Sequence, residues 1–185
     1  MADPQAYKLA DWIGYLTRPE IDLMIILAQS LPANPVVINI GAGVGTSGMA
    51  FMEARQDLTL YTIDVNDHDN PYGGLMNERN AFEWSGFLGA KRHHQIHDDS
   101  KKVGKRWRRG AVDCVFIDGD HTDEGVIGDI ENWKPRIKDG GIMIFHDYFS
   151  PFHGAVKWIT DQYFQPDQEI GRADSVIAFR IEKSK

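Results

Sequence analysis

Val36-Val37-Ile38-Asn39-Ile40-Gly41-Ala42-Gly43-Val44-Gly45-Thr46-Ser47-Gly48 decides how this chain is read. Branched aliphatic residues suit an extended, buried backbone. They run into alternating glycines, which let a chain turn sharply and let a ligand approach the backbone closely. The residues after the glycines read as the start of a helix, where free N–H groups and a partial positive charge collect. Strand, glycine loop and helix in that order suit a carboxylate or a phosphate. About twenty residues on, Asp64 ends a second apolar run, Leu58 to Ile63, and a carboxylate there can accept both hydroxyl hydrogens of a ribose.

Working outward, the chain repeats the alternation. Strand-like runs recur at His93–His97, Val112–Ile117, Ile142–Phe145 and Ser175–Ile181. Near-continuous apolar runs point to strands covered on both faces, as in parallel sheets. Between them, Val126, Ile127, Ile130, Trp133 and Ile137 recur at helical spacing, as do Phe152, Val156 and Ile159. Asp167 to Ile170, a turn at Gly171-Arg172-Ala173-Asp174 and the last run read as a hairpin. The expected fold is α/β: a doubly wound, Rossmann-like sheet of seven strands, mostly parallel, with an antiparallel C-terminal hairpin strand. Residues 1–34 read as a helical lead-in, in which Pro19 precedes a helix with Leu23, Ile26 and Leu27 on one face. Residues 35–185 read as the single domain proper.

Composition narrows the function. The chain has 185 residues, a net charge of -7 and one cysteine, Cys114. That length supports one core. The acidic balance argues against a general nucleic-acid binder and against docking on an anionic membrane. A lone cysteine in an apolar run makes no disulfide framework, which fits a cytoplasmic setting. The first residues show no signal peptide, and no apolar stretch is long enough to span a bilayer.

Two cofactors fit the glycine loop. Gly43, Gly45 and Gly48 match the dinucleotide fingerprint, so an NAD-type oxidoreductase is one reading. Gly41, Gly43 and Gly45 match the alternating glycines of S-adenosylmethionine (SAM) enzymes. Three stretches favour the second. Val36–Gly45 resembles the first motif of class I SAM-dependent methyltransferases. Val115-Phe116-Ile117-Asp118-Gly119-Asp120-His121 and Lys138–Tyr148 are similar to motifs of a compact bacterial branch related to macrocin O-methyltransferases and a cephalosporin-hydroxylase-like group. The resemblance covers roughly Glu20 to Ile181. It implies a SAM site formed by Asn39, Gly41, Ala42, Gly43, Gly45, Thr46, Asp64, Val65, Asp99, Ser100 and Asp118. Asn39 stands where the family usually has an acid, and Asp99 matches an acid that contacts the adenine amino group. The residue-level alternative for Asp99 is a helix cap.

Asp118, Asp120 and His121 follow the fourth strand, and His146 and Asp147 follow the fifth. In a doubly wound sheet both ends open on the ligand edge. The resemblance carries a divalent-metal site onto Asp118, His146 and Asp147, with Mg²⁺ or another divalent cation as the ion. His146 replaces the usual carboxylate, which leaves room for a softer ion. The metal-free reading makes His121 or His146 a general base, with Asp118 beside it. The plain reading is helix capping.

The basic run Lys101, Lys102, Lys105, Arg106, Arg108 and Arg109 reads as a solvated helix face, with Val103 and Trp107 packed inward. Asp67–Leu75 reads as a flap near the cofactor. Trp12, Tyr15, Trp84 and Phe87 read as site cover, core or homodimer contacts. His93, His94, His97 and His153 read as ordinary residues. The function expected is methyl transfer to an oxygen or nitrogen of a small polar molecule. A non-catalytic SAM-binding module is the alternative, with an NAD enzyme behind it.

Overall fold

A computed structural model describes residues 3–13, 15–68 and 73–183. Two helices open it, α1 (Gln5–Ile13) and α2 (Arg18–Ser30). Then β1 (Val36–Ile40), α3 (Thr46–Ala54), β2 (Thr59–Asp64), α4 (Leu75–Ser85), β3 (His93–His97), α5 (Ser100–Arg106), β4 (Val112–Ile117), α6 (Asp123–Trp133), β5 (Ile137–Phe145) and α7 (Gly154–Tyr163) alternate. The strands β6 (Glu169–Ala173) and β7 (Val176–Arg180) end the fold.

The seven strands make one sheet in the order β3-β2-β1-β4-β5-β7-β6. β1 to β5 run parallel, and β7 runs antiparallel to both β5 and β6. β4 lies in the middle and is buried along its whole length, as its unbroken apolar run requires. Helices cover both faces. Ile21, Met24, Met49, Phe51 and Phe82 pack from α2, α3 and α4 against Phe116, Ile144 and Ala178. Val103, Val126, Ile130, Trp133 and Ile159 pack from α5, α6 and α7 against Ile38, Val115 and Phe145. Asp113, buried in β4, accepts the Val36 N–H and the Lys138 ammonium, each at 2.8 Å, so its charge is not left bare.

Local signals set the helix ends. Thr17 and Glu20 form a reciprocal capping box at the start of α2, with Pro19 in the first turn. Asp99 caps α5 and Thr122 caps α6.

Several expectations are corrected by the packing. Ile26 does not share the inner face of α2; it is 62% exposed, and Ile21, Met24, Leu27 and Ala28 point inward instead. Ile137 is not the last turn of α6 but the first residue of β5, paired with Val112 across an irregular register. That strand therefore starts earlier than Ile142, because Gly140 at φ 75 lets it bend back into the sheet. Phe152 precedes α7 and is 88% exposed. The hairpin turn is not at residues 171–174. Strand β6 runs through Gly171-Arg172-Ala173, and the chain reverses at Asp174-Ser175, with Asp174 left-handed. The bare Gly171 faces Leu23 of α2, where a Cβ would come within 2.9 Å of Leu23 Cδ1.

The largest fully buried side chain, Trp133, also donates its indole N–H to the Ser100 carbonyl. Trp133→Ala is expected to cost about 3–5 kcal/mol. Equilibrium urea unfolding of the two proteins checks this, through a lowered midpoint at unchanged slope.

Candidate active site

The C-terminal ends of β1 to β5 open onto one cleft of about 740 Å³. This lies within the size range of small-ligand sites. Gly41, Gly43, Asp64, Val65, Asp99, Ser100, Asp118, His121, His146 and Asp147 all line it. The residues brought together come from five strand ends, Asp99 and Ser100 following β3, which is why their spacing in sequence is wide.

The glycine loop has the conformation its composition foretells. Gly41, Gly43 and Gly45 have φ of 87, 50 and 96. A Cβ on Gly41 would sit 1.9 Å from the Asp118 carbonyl oxygen, whereas one on Gly43 would meet nothing within 4 Å. Gly41 is therefore bare so that β1 and β4 can converge, and Gly43 borders open space. Gly48 does neither: it lies in α3, where a Cβ would press on Glu78 of α4. Gly43 also takes the Gly74 N–H on its carbonyl, at 2.8 Å. Of the expected flap, residues 69–72 lie outside the described residues.

Asp64 accepts the Ala42 N–H on one oxygen and the Asn66 N–H on the other, both at 2.8 Å. Each oxygen keeps further acceptor capacity. Two backbone donors thus fix the orientation of this carboxylate at the cleft. Asn39, Ala42, Gly45 and Thr46, expected at the cofactor, do not line the cleft. Asn39 is wholly buried, on the sheet face shared with Val37. Neither polar atom of its side chain, nor the Thr46 hydroxyl, has a protein partner. Ala42 and Gly45 serve through the backbone, one by pinning Asp64 and the other by starting α3.

Asp99 both lines the cleft and caps α5, so its two readings coexist. Ser100 donates its hydroxyl to Asp129, whose burial pushes it up to about 6. Within the basic run Val103 and Trp107 are buried as expected, but Lys101 lines the cleft, α5 ends at Arg106, and Arg109 lies 5.5 Å over the Tyr61 ring.

At that edge stands a compact cluster. His146 Nδ1 is 3.1 Å from Asp118 Oδ1 and 3.2 Å from Asp147 Oδ2. His121 Nε2 is 3.4 Å from the same Asp118 oxygen and 3.1 Å from the same Asp147 oxygen. Asp147 holds a left-handed φ of 58, a conformation costing on the order of 1–3 kcal/mol that often accompanies function. Two members were not singled out in the sequence. Glu20, reaching from α2, is buried and places Oε2 3.7 Å from His146 Nε2. Its Thr17-x-x-Glu20 spacing signals a helix cap but nothing about this contact. His153 stacks on His121 with ring centres 4.3 Å apart and lines the cleft. Tyr15 also lines it, while Trp12 and Trp84 are exposed.

Charge balance shapes the cluster. Burial opposes charging of His146, but Asp118, Asp147 and Glu20 outweigh it and push the imidazole up to about 12. The two carboxylates push His121 up to about 9. Burial would raise Asp118, yet His146 and His121 hold it down to about 2. The same imidazoles hold Asp147 well below the ordinary carboxylate range, against its burial.

A family described as a methyltransferase domain matches residues 38–148. A Mycobacterium tuberculosis protein named as an O-methyltransferase is 27% identical over 129 residues, covering 69% of this chain and 54% of its own length. The chain thus spans about half the length of the curated relatives it matches. The S-adenosylhomocysteine-bound methyltransferase of Podospora anserina superposes with a TM-score of 0.75 at 15% identity, over 98% of this chain and 89% of that one. A Staphylococcus aureus structure described as a caffeoyl-CoA O-methyltransferase gives 0.74 at 16% identity, over 95% and 90%. The chain belongs to this methyltransferase domain family, and its fold is that of the class I SAM-dependent methyltransferases. The antiparallel β7 inserted beside β5 separates it from the all-parallel NAD-binding sheet.

The loop geometry yields a paired expectation. Gly43→Ala meets only the left-handed strain, on the order of 1–2 kcal/mol. Gly41→Ala meets that strain and a backbone clash, and is expected to lower stability distinctly more. Thermal unfolding of both variants checks the order. A second expectation concerns protonation. With protein groups alone, His146 keeps its proton throughout pH 5–9, because its folded value lies far above that window, while His121 loses its proton near the top of it. A ¹H–¹⁵N imidazole titration of the metal-stripped protein reads this directly.

Proposed function

We propose that this protein transfers the methyl group of SAM to a hydroxyl oxygen of a small polar acceptor, assisted by a divalent cation. One observation carries the reading: the glycine loop with Asp64, and the Asp118–His146–Asp147 cluster, face the same cleft. SAM supplies an electrophilic methyl group on a sulfonium. Asp64 suits its ribose, Asp99 and Ser100 stand where the adenine would lie, and the open space at Gly43 accommodates the amino-acid portion. These assignments rest on the cleft lining and on the family resemblance.

The acceptor hydroxyl must lose its proton as its oxygen bonds to carbon. A general base works best with a pKa near the operating pH. His146 and His121 hold their protons too tightly for that among protein groups alone, and Asp118 is too weak a base. The donor set fits a cation instead. One ligand atom each from Asp118, His146 and Asp147 lies within 4.8 Å of the others. Asp118, His146 and Asp147 would hold such an ion, which would polarise the acceptor hydroxyl and lower its pKa so that its proton could pass to solvent. His121 and His153 border the acceptor.

The acceptor is read as small. The chain is acidic overall, and of its basic run only Lys101 lines the cleft, where its ammonium lies 3.8 Å from Asp99 and 3.6 Å from Asp120. No helix among the described residues is long and apolar enough to cross a membrane.

Losing a charged hydrogen-bond partner costs about 1.5–3 kcal/mol. Asp64→Ala is thus expected to weaken SAM binding about ten- to a hundredfold. Calorimetry with SAM and S-adenosylhomocysteine checks this, and unchanged affinity removes Asp64 from the site. Exhaustive chelation is expected to abolish turnover on a catechol or hydroxylated test panel, with recovery on adding metal. Turnover that survives chelation removes the ion.

A further inference from the structure

The buried residues of α6 are Gly125, Val126, Asp129, Ile130 and Trp133, and Asp129 alone among them carries a charge. It is 1% exposed. Lys101 lies close by in sequence to its partner Ser100, yet pairs with Asp99 and Asp120 instead. Among the described residues, Asp129 Oδ2 has no hydrogen-bond partner. A buried carboxylate so poorly compensated is costly, and an apolar side chain would suit the core better. The position therefore calls for a use outside packing.

That use is visible in what Asp129 touches. Its Oδ1 accepts the Ser100 hydroxyl, and Trp133, one turn along the same helix, donates its indole N–H to the Ser100 carbonyl at 3.0 Å. Helix α6 thus grips Ser100 at both ends. Ser100 lines the cleft, and so does Gly119, where a Cβ would lie 3.9 Å from Asp129 Oδ2. The carboxyl stands directly behind this stretch of wall. A serine hydroxyl has one hydrogen and two acceptor lone pairs. With the hydrogen held by Asp129, Ser100 offers the cleft acceptor capacity only.

We propose that Asp129 is a positioning residue that fixes the Ser100 hydroxyl as an acceptor toward the cleft, and so selects a cofactor base bearing an amino group over one bearing a carbonyl at the same place. The proposal deepens the methyl-transfer reading and rests on its placing of adenine beside Ser100. It carries a pH dependence. Burial pushes Asp129 up to about 6; Asp99 and Asp120 add to this, while the Ser100 hydroxyl and Lys101 oppose it. Once protonated, Asp129 can donate to Ser100 Oγ and release the serine hydrogen toward the cleft. The selectivity is therefore present above that value and declines as pH falls through it.

The experiment measures binding of S-adenosylhomocysteine and of its deaminated analogue, S-inosylhomocysteine, to the full chain by calorimetry. At pH 7.5 the wild type is expected to prefer the amino form at least about tenfold, because the carbonyl form leaves acceptors facing each other. Asp129→Leu and Ser100→Ala are each expected to lower that preference about 3–10-fold. The double variant is expected to lose no more than either single one, since the two residues act as one unit. A role in packing alone weakens both ligands equally and leaves the ratio unchanged. Between pH 7.5 and 5 the preference is expected to fall in the wild type and stay level in Asp129→Asn. A ratio indifferent to Ser100→Ala overturns the proposal whether or not Asp129→Leu folds, as does an identical fall with pH in Asp129→Asn. Failure of the wild-type chain to bind either ligand overturns the methyl-transfer reading and this proposal with it, whereas tight binding at an unchanged ratio overturns this proposal alone.

Discussion

Where β1 ends, the backbone of Gly41 runs so close to the Asp118 carbonyl that no larger residue fits between them. That contact joins the two halves of the site. On one side the chain turns through left-handed glycines toward α3 and Asp64; on the other, β4 delivers Asp118 to the mouth of the cleft. A Cβ at this one position would have to push β1 and β4 apart, and with them the loop and the charged cluster. The parallel pairing of β1 with β2 and β4, and of β4 with β5, sets all the other strand ends at the same edge. The bare glycine then sets how near they come.

Charge compensation is the second constraint. Three carboxylates, Asp118, Asp147 and Glu20, gather around His146, with His121 between the two aspartates. Buried carboxylates are costly unless paired. Protons on the imidazoles of His146 and His121 satisfy that need. The opposed pull on histidines and aspartates expresses the same demand. The backbone strain at Asp147 is consistent with a geometry held for function rather than for stability.

The two leading helices belong to the site as well as to the core. α2 packs on α3 and β6 through Ile21, Met24 and Leu23, and the same helix delivers Glu20 to His146. Its capping box therefore has two uses: it starts the helix and freezes the carboxylate. Tyr15, between α1 and α2, adds a wall to the cleft.

The sequence alone determined the alternation of strands and helices, the glycine loop and the family, because these are written in local periodicity and in short motifs. It placed Asp118, His146 and Asp147 at one edge, because the topology of a doubly wound sheet follows from strand order. It misread Ile137 as helical and set the hairpin turn inside β6, since period alone cannot locate where an apolar residue leaves a helix or where a two-residue turn falls. It assigned Asn39 and Thr46 to the cofactor, and the structure adds that both are buried, with no protein partner for the polar side-chain atoms of Asn39 or for the Thr46 hydroxyl. Only the tertiary structure revealed Glu20 and His153. Their partners lie across the fold, in contacts such as His146 with Glu20, and no local pattern encodes which distant side chain a carboxylate will meet.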